Sequence, residues 1–227
     1  MKDNFLERYD NTLSDTVCKS LIDEFQYQYS IGNTYQATGK VQVIENNDEI
    51  NKKILNSQDL SLSDIQKKDE LLDQQIFYHI DDTFLHHLKL YQDKYNINQY
   101  FLNLDIFDPA NLKDKNIISF PNEAIPQLFD RSQVILRKFN SEEKDGQHTW
   151  GNDYSSTSEH MLYRSVSILL FLNDVDDGGE VEFFHQNIKI KPKKGTLILF
   201  PSQFTHTYKI NIPTSDMYIL RSWVKIN

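Results

Sequence analysis

A chain of 227 residues with an apolar share of 39% and an aromatic share of 12% can bury one continuous core; this excludes a disordered chain and leaves little room for two domains. The 33 acidic against 24 basic residues give a net charge of −9 with no basic stripe to offset phosphate repulsion, which excludes nucleic acid as a partner. The single cysteine, Cys18, excludes an internal disulfide, no apolar run approaches the roughly 18 residues of a membrane span, and MKDNFLERYD lacks an apolar signal core, so a soluble cytoplasmic protein without a membrane partner is expected.

The first 130 residues read as helical support and loop. Asp15 can cap a helix from Thr16 to about Tyr29, because Val17, Leu21, Ile22 and Phe25 recur at helical spacing. From Gly39 to Asp69 the chain is polar with weak signals, among them VQVI at 41–44, and reads as either a plain surface loop or a lid over a site. A second helix near Gln75–Tyr95 carries Phe77, Ile80, Phe84, Leu88, Tyr91 and Tyr95 on one stripe. Phe101 to Ile118 reads as a strand leading into a loop.

From residue 131 to 227 the pattern changes to short strands separated by turns. Ser165 to Leu172 (SVSILLFL) is an apolar run of strand length. Asp176-Asp177-Gly178-Gly179 is turn chemistry, because glycine adopts positive φ without steric cost, and Glu180 to Phe184 resumes alternation. Ile188 and Ile190 alternate with lysines, Pro192 to Gly195 turns the chain, Thr196 to Phe200 is a second apolar run, and Met217 to Lys225 supplies the last strand. This density of strands predicts a mainly β domain with N-terminal helices: a double-stranded β-helix, or jelly roll of cupin-like form, with a cavity at one end.

The segments LRKFNSEEKDGQHTWGNDY, SVSILLFLNDVDDGGEVEFF and GTLILFPSQFTHTYK, followed by MYILRSWV, resemble the core of the iron(II)/2-oxoglutarate-dependent oxygenases, in particular the prolyl-4-hydroxylase-like branch. In that family a His-x-Asp/Glu motif and a distant His hold iron, and a Lys or Arg on the last core strand pairs with the far carboxylate of 2-oxoglutarate. The resemblance puts two metal ligands at Asp153 and His206. It also reveals two departures: Gly151 stands where the first His belongs, and Met217 stands where the anchoring base belongs.

Residue by residue, each candidate carries a bland reading beside the functional one. Asp153 follows Gly-Asn and is also a good turn residue. His148 lies five positions before Asp153, so on an extended strand the two would face opposite sides; it is either a compensating ligand brought round by a bend at Gly151 or a residue lining the pocket. Arg221 lies four residues beyond Met217 on the same strand face, and its planar fork suits a carboxylate, which makes it the substitute 2-oxoglutarate anchor; Arg164 is a second candidate, and the plain reading of both is a structural salt bridge. His79, His86, His87 and His160 read as exposed or partly exposed histidines, His185 as an ordinary hydrogen-bonding histidine at a strand end, and Trp150 and Trp223 as core.

The resemblance implies Fe(II) as cofactor, 2-oxoglutarate as co-substrate, ascorbate as an accessory reductant, and hydroxylation of a prolyl peptide or a small metabolite. The alternative is a non-catalytic jelly roll that keeps the fold and uses the cavity for binding after losing the complete iron site.

Overall fold

The computed structural model describes residues 4–45, 48–66, 74–95, 133–147, 149–155 and 159–225. Its two sheets follow from strands that are apolar on both faces, as expected when each face meets another layer. The last strand, β11 (Met217–Lys225), is buried along almost its whole length. Tyr218, Leu220 and Val224 enter one apolar cluster, while Met217 and Ile219 enter another. Its neighbour β6 (Arg164–Phe171) divides in the same way, Ile168 and Leu170 to one side, Leu169 and Phe171 to the other.

Among the described residues the larger sheet has eight strands. Its order is β1 (Glu7–Tyr9), β9 (Leu197–Pro201), β6, β11, β4 (Ile135–Phe139), β3 (Asp48–Ser61) and β2 (Tyr35–Glu45), with β5 (Gly146–Gln147) beside β3. Every pairing is antiparallel. A three-stranded sheet, β10 (Tyr208–Ile210), β7 (Val181–Phe183) and β8 (Ile188–Ile190), packs on its inner face. Phe183, Phe200 and Tyr208 interlock between the layers, with Phe183 and Phe200 edge-to-face at 4.9 Å. The expected mainly β jelly roll with N-terminal helices is what the chain forms.

The outer face of the large sheet is covered by α1 (Asp15–Ser30) and α2 (Gln74–Tyr95), whose Leu21, Phe25, Phe84 and Leu88 join the sheet's outward residues. Helix α1 is capped by Ser14, whose hydroxyl accepts from the Val17 amide at 3.3 Å, and not by Asp15, which begins the first turn. The second helix runs as the periodicity predicts.

The expectation for Gly39–Asp69 is corrected. Most of it forms the long β2–β3 ribbon, paired from Tyr35↔Asp59 to Glu45↔Asp48, and β3 continues into the large sheet through Asp59↔Arg137. Backbone pairing holds such a ribbon whatever its side chains, so polar residues at a sheet edge hide it from a reading based on apolar alternation. The first 61 residues thus add three strands to the roll as well as helical support. The strand expected over Phe101–Ile118 lies outside the described residues.

Candidate functional site

Strand register decides what meets inside the roll. Arg221 pairs with Ile135 and Ile219 with Arg137 across β11 and β4, and Trp223 pairs with Ser167 across β11 and β6. Alternation therefore puts Arg137, Arg221, Trp223 and Ser167 on the inner face, which is apolar at one end and polar at the other. The polar end opens into a cavity of about 400 Å³. Arg137, Arg164, Arg221 and Asp153 supply its charges, while Ile135, Trp150 and Trp223 contribute apolar wall.

Asp153 is carried on the segment after the Gly151↔Tyr208 bridge, and its amide donates to the Ser202 carbonyl at 3.0 Å. Its buried carboxylate accepts from Arg221 Nη2 at 2.5 Å and Tyr208 hydroxyl at 2.9 Å on one oxygen, and from Ser167 hydroxyl at 2.7 Å on the other. Burial by itself would raise this carboxyl; the Arg221 charge and the hydrogen bonds of Arg221 and Ser167 outweigh it and hold the group well below the usual carboxylate range. Burial likewise acts to lower Arg221, but Asp153 dominates and the guanidinium is held above its ordinary value. Tyr208 is pushed up by burial, and its hydroxyl accepts from Arg221 Nη2 at 2.5 Å while donating to Asp153.

His206 ends a 3-10 turn, Phe204–His206, and is buried. Its Nε2 lies 2.6 Å from the Asn4 carbonyl, and since a carbonyl can only accept, Nε2 carries the proton. Nδ1 then accepts from the Thr205 hydroxyl at 3.0 Å. Burial keeps the ring below its usual pKa, against the pull of the Asn4 carbonyl. Both nitrogens are thus engaged away from Asp153.

The remaining candidates fall as follows. Arg221 meets Asp153 as a buried salt bridge, the plain reading of that residue, and not as a free anchor. Arg164 donates from Nη2 to Gln133 at 2.9 Å and stacks on Trp223 with its guanidinium carbon 3.5 Å from the ring centre. Met217, at the family's anchor position, lies fully buried in the apolar inner core, where it offers a 2-oxoglutarate carboxylate no charge. Gly151 has room beside it: a Cβ there would meet only Gln147 Nε2, at 3.3 Å. His148 lies outside the described residues. Trp223 is buried as expected, but Trp150 is 38% exposed and packs edge-on against Phe184 at 5.1 Å.

Tyr208 and Ser167, which donate to Asp153, escaped the sequence reading, and so did a second ion pair. Asp59, in the supposed loop, grips Arg137 in a bidentate pair, Nε–Oδ1 2.7 Å and Nη2–Oδ2 2.6 Å, buried on both sides. A charged residue at an inward position of the apolar strand ILRKF was the available signal.

The donor set can be tested against an iron centre. A facial site needs imidazole lone pairs and a carboxylate directed at one point. Here the carboxylate is held by three protein donors, the one described imidazole at a motif position is protonated on Nε2, and the third position is glycine. Among the described residues no three His, Cys, Asp or Glu side chains converge as a metal site. These residues do not fit the ion.

Comparison with known proteins agrees with the fold. Residues 137–225 match the family model of the 2OG-Fe(II) oxygenase superfamily. That stretch is similar to the superfamily's module, and the solved structures that share the fold include prolyl hydroxylases. Over 98% of this chain and 84% of the other, the fold matches a prolyl hydroxylase from Trichoplax adhaerens solved with a hypoxia-inducible-factor peptide, with a TM-score of 0.60 at 13% identity. It matches a Pseudomonas putida prolyl-4-hydroxylase with a TM-score of 0.55 at 15% identity, covering 98% and 92% of the two chains. A viral collagen prolyl hydroxylase from Paramecium bursaria Chlorella virus-1, solved with 2-oxoglutarate, matches with a TM-score of 0.51 at 15% identity, covering 96% and 94%. At such identities the likeness is one of fold. No curated protein matches the chain in sequence.

Proposed function

We propose that this 2-oxoglutarate-oxygenase-like protein is a non-catalytic binding module, a jelly roll that has exchanged its iron centre for an ion pair and kept its cavity. The observation that carries this reading is Arg221 Nη2 on the Asp153 carboxylate at 2.5 Å: the guanidinium brings to that carboxylate the positive charge a divalent ion would otherwise bring. Gly151, the Nε2 proton of His206 and the buried Met217 point the same way. Hydroxylation of a prolyl peptide or a metabolite, the expectation drawn from the family, needs donors that are engaged elsewhere.

Anaerobic calorimetry with Fe(II), with and without 2-oxoglutarate, tests the proposal. The parent and Gly151→His should bind no iron measurably, with or without 2-oxoglutarate, because Arg221 still holds Asp153. Gly151→His combined with Arg221→Ala releases the carboxylate and adds an imidazole two residues before it, and is the variant in which iron binding should emerge. Iron-dependent formation of succinate by the parent protein would overturn the reading and restore a hydroxylase.

A further inference from the structure

One arginine of the cavity lining carries a donor that the fold leaves unused. Arg137 is 94% buried from its 6% exposure, and its Nε and Nη2 form one edge that is fully taken by Asp59. Its Nη1 is buried with no hydrogen-bond partner. Because the guanidinium is planar, Nη1 lies on the side away from Asp59, and Arg137 lines the cavity. An unmet buried charged donor costs free energy, which an acceptor oxygen from a ligand or a water would offset.

A second guanidinium stands beside it. Arg221 pairs with Ile135 and Arg137 with Ile219, which makes Arg137 and Arg221 diagonal neighbours on one face of adjacent strands. Such neighbours are about 7–8 Å apart at the backbone, within reach of one shared ligand through long side chains. Both hydrogen bonds of Arg221 leave from Nη2, so its Nη1 edge is not committed to Asp153. The described lining holds three arginines and Asp153, and with Asp59 behind Arg137 the three cations face two carboxylates, a small positive excess that favours a negative ligand. Around these charges the wall is apolar, with Ile135, Trp150 and Trp223.

We infer that the cavity binds a small molecule with an oxyanion head and an apolar body, the head bridging Arg137 Nη1 and Arg221 and the body lying against Trp150 and Trp223. This rests on the binding-module reading and names its ligand class. The head is held by β4 and β11 at the polar end of the roll, not at Met217, which lies in the apolar inner core. Carboxylate and phosphomonoester share this chemistry.

The chain's only two tryptophans both line the cavity, so their fluorescence reports on it directly. Hexanoate, hexyl phosphate and hexanol, titrated into the metal-free full chain, separate head from body. At least one of the two anions should bind ten-fold or more tightly than hexanol; hexanoate ahead assigns organic acids, hexyl phosphate ahead assigns phosphomonoesters. Arg137→Lys keeps a charge opposite Asp59 but has no second edge, and should lose that ten-fold preference while hexanol binding is unchanged. The paired variant Asp59→Leu/Arg137→Met, which buries no lone charge, should do the same should Arg137→Lys fold poorly. Equal binding of all three compounds, or an anion preference that survives in the Arg137 variants, overturns the site. An Fe(II) titration of the same samples reads the other proposal separately: iron binding with the anion preference intact defeats only the non-catalytic reading, and a missing preference without iron binding defeats only the anion site.

Discussion

Removing one partner of the Asp153–Arg221 pair would leave a bare charge in a buried, hydrogen-bonded pocket. Arg221→Met should therefore cost about 3–5 kcal/mol in urea denaturation. Asp153→Leu combined with Arg221→Met removes both charges and should recover most of that loss, because well-packed apolar replacements of an ion pair are often close to neutral. Costs that simply add would show that the two residues act separately. The pair also has a pH signature. Asp153 is held below the roughly 3.9 of a free aspartate, so its share of stability is fully present above that pH and is lost as pH falls toward its lower folded value. The stability gap between parent and double variant should stay constant from pH 8 to pH 5 and change only below about pH 4; a gap that changes near neutrality would be inconsistent with this assignment.

At the scale of elements, the turn from β6 to β7 leaves the chain little freedom. Gly178 sits at φ +74°, and a Cβ there would lie 2.2 Å from the Ile212 carbonyl oxygen, a backbone atom that cannot swing aside. Left-handed conformation alone costs a side-chain-bearing residue about 1–2 kcal/mol, and the clash adds to it. Gly178→Ala should thus destabilise by more than about 2 kcal/mol. Gly151→Ala, with ordinary φ and only a flexible glutamine end nearby, should change stability by less than about 1 kcal/mol. Thermal unfolding of the two variants compares them directly, and similar losses would mean that the turn tolerates what its geometry forbids.

At the scale of the molecule, the N-terminal segment ties layers together. Strand β1 covers the edge of β9, the Phe5 carbonyl accepts from Tyr91 at 2.8 Å, Glu7 accepts from Lys94 at 2.6 Å and from Tyr95, and the Asn4 carbonyl holds His206. Each such bond is worth about 1 kcal/mol net, and an uncovered strand edge invites pairing with other chains. Deleting residues 1–10 should lower the unfolding temperature by roughly 5–10 °C and promote association visible in size-exclusion chromatography. An unchanged melting temperature would mean that the segment merely rests on the roll.

What the sequence by itself determined was the set of elements whose signal is local. The apolar runs of β6, β9 and β11, the glycine turn before β7 and the stripe of α2 are each written within a few neighbouring residues, and with them came the jelly roll. The β2–β3 ribbon was hidden because its order comes from backbone pairing, to which polar side chains give little clue. The site was legible only as a list: Asp153, His206 and Arg221 were all singled out, but as ligands and an anchor. Which of them meet was decided by tertiary register, which turns Arg221 onto Asp153, aligns Asp59 with Arg137 and brings the Asn4 carbonyl, 202 positions away in the chain, onto His206. A charge's role depends on its nearest opposite charge, and in a β roll that neighbour lies on another strand, at a sequence distance that no local pattern encodes.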